Sequence, residues 1–163
     1  MNPIEKYFGA EKSESVLFVL VGVAAIAVAA WFVWKVRQPF YQGMAYPLVA
    51  VALIQIVVGT TVYLRSPKDL ERVSSLVANQ RAIIQQEEIP RMEVVMRNFV
   101  MYRWIEIGLL AAGLLLFFMM SEPTTWKGVG LGLSIQAAFM LLLDFFAESR
   151  GRDYLAYLQQ LMP

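Results

Sequence analysis

The chain has 163 residues, of which 58% are hydrophobic and only 17% charged, with a formal net charge of +1. That is too apolar for an ordinary soluble domain, and it lacks the basic stripe a nucleic-acid partner requires. With no histidine and no cysteine, disulfides, the usual haem, iron–sulfur and zinc sites, and Ser-His or Cys-His nucleophiles are all excluded. No phosphate-cradling glycine loop precedes a Lys-Ser/Thr pair. No catalytic residue, metal site or cofactor is expected, and the chain is read as a non-enzyme.

The first fourteen residues mix Glu5, Glu11 and Glu14 with Lys6 and Lys12. A secretory leader would begin with a basic stretch. Asn2-Pro3-Ile4, with Tyr7 and Phe8, predicts a short capped helix that has one apolar side. Residues 15–34 and 38–64 then carry no charge. A helix crosses the hydrocarbon core with roughly 20 apolar residues, so the first two spans are placed at about 15–35 and 44–64.

Residues 65–102 are too polar to span. Ser66-Pro67-Lys68-Asp69 has the form of a helix start, with Ser66 as cap and Pro67 in the first turn. Leu70, Val73, Val77 and Ile84 recur at helical spacing, and Pro90 is expected to end this helix. A second helix then carries Met92, Val95, Met96 and Phe99 into the third span. The segment 66–102 is therefore predicted to be a cytoplasmic helical hairpin, salt-bridged along its length. Its Met-rich stripe, Met92, Val95, Met96 and Phe99, is a candidate partner surface because methionine adapts to many shapes.

The third and fourth charge-free stretches, 107–121 and 128–143, are shorter. Spans at about 103–121 and 127–147 must therefore include Glu106 and Asp144. Ionisable residues at that depth are costly and mark candidate sites. The two helices are antiparallel, so both acids lie near the same end. Arg103, one turn before Glu106, and Arg65, at the end of span two, share that depth. The predicted polar cluster is Arg65, Arg103, Glu106 and Asp144. Gln55 and Gln136 both fall near the midplane, where a hydrogen bond between them is the simplest expectation. Gly128 and Gly132 form a Gly-x-x-x-Gly spacing that favours close helix approach. A C-terminal amphipathic helix is predicted at about 152–162.

Only Lys35, Arg37 and Lys127, three of the fourteen Lys and Arg residues, fall on the side away from both termini. Basic residues near span ends stay in the cytoplasm. The fold class predicted is thus all-α: a polytopic four-transmembrane-helix bundle in a cell's inner membrane, with both termini cytoplasmic. The expected function is non-catalytic, acting on another membrane protein or through self-association, as a subunit, a regulator or an immunity-type neutraliser. The alternative is an oligomeric ion channel or small transporter using Glu106 and Asp144.

Overall fold

Asn2 starts α1 (Pro3–Trp31) in the computed structural model, which describes residues 2–79 and 81–161. Its side chain accepts from the Ile4 N–H while Glu5 accepts from the Asn2 N–H, a reciprocal pair that satisfies two donors of the first turn. The helix ends in a π-helical turn, Phe32–Val36, stopped by Arg37 at φ 55°. That left-handed conformation is uncommon for a side-chain-bearing residue. It is held by the Arg37 N–H on the Phe32 carbonyl and the Arg37 Nε on the Trp34 carbonyl. Helix α2 (Pro39–Asn79) follows directly. Short α3 (Arg81–Ile83) and a second π-helical turn, Ile84–Glu88, then carry the chain into α4 (Ile89–Met119). Thr124 caps α5 (Thr125–Gln160) by accepting from the Lys127 N–H.

Each of the four long helical segments is apolar enough to cross a membrane, and the shortest has 34 residues. A helix of that length measures about 51 Å, against roughly 30 Å of hydrocarbon. Every helix therefore extends beyond its apolar stretch. The burial pattern suits lipid as solvent: Leu20, Val57, Leu115 and Phe118 are exposed, whereas Gln55, Glu106, Ser134 and Gln136 are buried. The architecture is that of a multi-pass membrane protein.

Helix α5 is central. It packs along both α2 and α4, and α1 packs mainly on α2. Glycine sets the separations. A Cβ on Gly128 would overlap the Phe40 carbonyl oxygen of α2, and one on Gly130 would lie 2.6 Å from the Gly113 carbonyl oxygen of α4. The Gly-x-x-x-Gly face of α5 thus meets α2, while Gly130 between them meets α4. Without large side chains between them, the backbones approach closely enough for dispersion contacts to hold the helices in lipid.

At the end holding both termini, Ile4, Phe8, Val73, Ile84, Met92, Tyr154 and Leu158 form a buried core drawn from α1, α2, the reversal, α4 and α5. This head differs from the predicted hairpin in three ways. First, α2 passes through Ser66 and Pro67 without a break. Ser66 donates to Glu11 instead of capping a helix, and its neighbour Pro67 lies inside α2, where it removes a backbone hydrogen bond and crowds the preceding turn without ending the helix. Second, the reversal comes before Pro90, which occupies the first turn of α4, where its missing N–H has no helical partner to lose. Third, α2 and α4 touch each other at most slightly among the described residues, because both pack on α5. The segment expected to be a separate C-terminal helix is the end of α5, with Tyr154 and Leu158 in the head core. Met162 lies outside the described residues.

Candidate functional site

Arg103 projects from α4 toward α5 and donates to both oxygens of Glu148, at 2.8 and 2.7 Å. Arg152, one turn further along α5, approaches the same carboxylate at 3.4 Å. One turn beyond Arg103, Glu106 is 4% exposed, and no donor among the described residues reaches either carboxyl oxygen. Its ionisable neighbour is another acid, Asp144 of α5, to which it is hydrogen-bonded when the pair holds a proton. Arg103, Glu106, Asp144 and Glu148 line one cavity of about 110 Å³, together with Phe99 and Phe145.

The structure therefore brings three of the four expected residues together and replaces the fourth. Arg65 lies elsewhere: it pairs with Glu11 of α1 at 3.2 Å and with Asp69 of its own helix at 3.0 Å. Arg65 belongs to α2, and α5 stands between α2 and α4. Glu148 takes the place of Arg65, and its signal was its spacing: it follows Asp144 by four residues and so shares its helix face.

Asp144 also lines a second cavity, of about 150 Å³, where the four helices surround a gap. Phe18 of α1, Gly59 of α2, Phe99 of α4 and Arg150 of α5 border it. The Arg150 guanidinium pairs with both oxygens of Glu14 across this space. Among the described residues, α1 and α4 make at most slight backbone approach to one another. They meet through side chains in the head, where the Tyr7 hydroxyl contacts the Met92 sulfur. The bundle is thus closed at the head and has a cleft between α1 and α4 beside the cavity.

Gln55 and Gln136 are both buried, but the bond expected between them does not form. Neither side-chain polar atom of Gln55 has a partner among the described residues. Neither glutamine lines either cavity. The Met-rich stripe is turned inward: Met92 is fully buried in the head core, with Val95 packed against it. Met96 abuts Gly151, and Phe99 borders both cavities. The periodicity was that of a buried face, and its cover is the bundle's own α1 and α5.

A second polar centre lies in the head, buried where salt bridges on a solvated hairpin were expected. Glu88 is fully buried and accepts from Arg91 at 2.6 Å, Arg72 at 2.7 Å and the Tyr154 hydroxyl at 3.1 Å. Burial by itself would push its carboxyl up. Hydrogen bonds and charge from Arg91, then Arg72, outweigh that and hold it below the ordinary glutamate value. Tyr7 stacks on Tyr154 with ring centres 4.2 Å apart, and burial pushes both hydroxyls well above the usual tyrosine range. With every partner in place, this network serves to fix α5 against the reversal. Compared with protein-family models, curated proteins and solved structures, the chain finds no match.

Proposed function

We propose that this is an inner-membrane protein with both termini cytoplasmic, and that it acts without catalysis by binding another membrane protein as a subunit, regulator or immunity-type neutraliser. The orientation rests on the arginine and lysine asymmetry. On that reading the helical hairpin of residues 66–102, its arms spread by α5, belongs to a cytoplasmic head.

The observation that carries the interaction reading is the α1–α4 cleft. A bundle that packs α1 on α2, α2 on α5 and α5 on α4 leaves α1 and α4 apart, next to a cavity lined by Glu14, Phe18, Phe99 and Asp144. A partner's transmembrane helix is the occupant this reading assigns to that side, since helix association in lipid depends on packing of otherwise uncovered faces. Photo-reactive residues at Phe18 and Phe99, activated in native membranes, are expected to capture one specific membrane protein. Capture of lipid alone would overturn the reading. The channel alternative draws on Glu106 and Asp144, but Gln55 and Gln136 line neither cavity and so supply no continuation of a path. Cation flux through liposomes holding the purified chain, abolished by Glu106→Gln, would favour it.

A further inference from the structure

Glu106 of α4 and Asp144 of α5 meet across the helix pair that holds α4 in place. Their carboxyls hydrogen-bond to each other only while one of them carries a proton, because two carboxylates have no donor between them. Glu106 is 4% exposed, and Phe99, Leu141 and Phe145 wall the cavity that both acids line. Without that proton, two negative charges stand side by side against an apolar wall, an arrangement that repulsion and lost hydration both oppose.

The other charged groups that face the pair are already engaged. On α4, Arg103 donates to both oxygens of Glu148. On α5, Arg152 approaches Glu148 and Arg150 pairs with Glu14. Helix α1 brings only further acids, Glu11 and Glu14, and the Tyr7 hydroxyl, which contacts Met92. From α2, Val58, Gly59 and Val62 reach the neighbouring cavity, while Arg65 is taken by Glu11 and Asp69. The proton is therefore what keeps the pair from carrying two charges.

The place of the pair gives that proton a mechanical consequence. Helix α4 packs on α5 and on the reversal, and on little else. Two points bracket the pair: Gly113 lies against Gly130 and Ser134 of α5, and Met92 is buried in the head core with Tyr154 and Leu158. Between those points, the polar links from α4 to α5 among the described residues are Arg103 with Glu148 and the shared proton.

We propose that Glu106 and Asp144 form a pH-sensitive clasp: with one proton between them they hold α4 against α5, and when it leaves the two helices part between Met92 and Gly113. The clasp is closed at low pH and opens as the pH rises through the value at which the pair gives up its last proton. It goes beyond the interaction reading and stands whether or not a partner binds.

The test uses the full chain in lipid nanodiscs, with spin labels on Tyr102→Cys of α4 and Phe146→Cys of α5, both exposed positions near the pair. Pulsed resonance reads the distance between the labels. Infrared spectra at each pH read the protonated-carboxyl band that Glu106→Gln combined with Asp144→Asn removes. From mildly acid to alkaline pH, loss of that band and a lengthening of the label distance are expected in the same step. In Glu106→Gln the amide can donate to Asp144 as the shared proton does, so the distance should stay short at every pH; Asp144→Asn, by the same reasoning, should behave alike. Loss of the band in the unaltered chain with no change in distance overturns the proposal, whether or not the variants fold. So does a band that persists at every pH at which the chain stays folded. Lengthening that survives in Glu106→Gln overturns it as well, because another group then drives the helices apart.

Discussion

Glu88 has no access to water, yet it stays charged because two guanidinium groups and a phenol converge on it. Removing one member of a buried ion pair costs roughly 3–5 kcal/mol. Arg72 and Arg91 remain partly exposed at 38% and 29%, so water screens what is left behind. Glu88→Gln is therefore expected to cost the head about 2 kcal/mol, measured by hydrogen exchange across residues 84–92 in lipid nanodiscs. The pH dependence has a definite sign. The folded carboxyl titrates below the unfolded one, so its contribution is complete above an unfolded value of about 4.3 and is lost as pH falls through the folded value. Protection against exchange in the unaltered head, taken relative to the intrinsic amide rate at each pH, should fall as the pH drops below about 4, while Glu88→Gln should be poorly protected already at neutral pH and lack that acid step. The same residue shows where sequence reasoning stopped. Glu88 was legible only as one charge in a solvated helix pair, because its burial depends on α5, more than sixty residues away. Glu106 and Asp144 were legible as neighbours, since antiparallel helices share depth. Arg65 was misplaced because depth says nothing of which side of a helix bundle a residue occupies.

Among the elements, α5 carries the densest information. Its glycines predict a graded response to one added methyl group. At Gly128 the obstacle is the α2 backbone, which cannot yield, so Gly128→Ala is expected to cost about 1–3 kcal/mol or more and to weaken the α2–α5 crossing. At Gly151 the nearest atom is the Met96 sulfur, 3.0 Å from the added carbon. That end of a flexible side chain can swing aside, and Gly151→Ala should be close to neutral. Gly108 meets nothing within 4 Å, so Gly108→Ala should stabilise α4 by up to about 1 kcal/mol through helix propensity alone. Thermal unfolding of the three variants in one detergent checks the order. The four apolar stretches were plain from their missing charges, and the Gly-x-x-x-Gly spacing pointed to close contact. What the spacing could not reveal was the partner helix, nor that Gly130, between the two motif glycines, serves another. Ser66-Pro67 misled because a proline compatible with a helix start is also tolerated inside a long helix whose neighbours compensate.

For the whole molecule, the absence of native cysteine makes orientation directly measurable. Ser13, Ser75 and Gln159 lie exposed at the head, and Glu122 lies exposed at the opposite end. Single cysteines at the first three positions are expected to resist a membrane-impermeant thiol reagent added to intact cells and to react after lysis. Cysteine at Glu122 should react in intact cells. Reversed labelling would overturn the proposed orientation.

The central place of α5 also has a consequence for biosynthesis. As the chain emerges, α1 and α2 can pair with each other at once, but α4 finds almost no helix to pack on until α5 follows it. For that interval α4 stands in lipid with the Glu106 carboxyl and the Gly113 face uncovered. The stretch between completion of α4 and insertion of α5 is then the period in which a quality-control protease or an insertion factor would recognise this protein as unfinished.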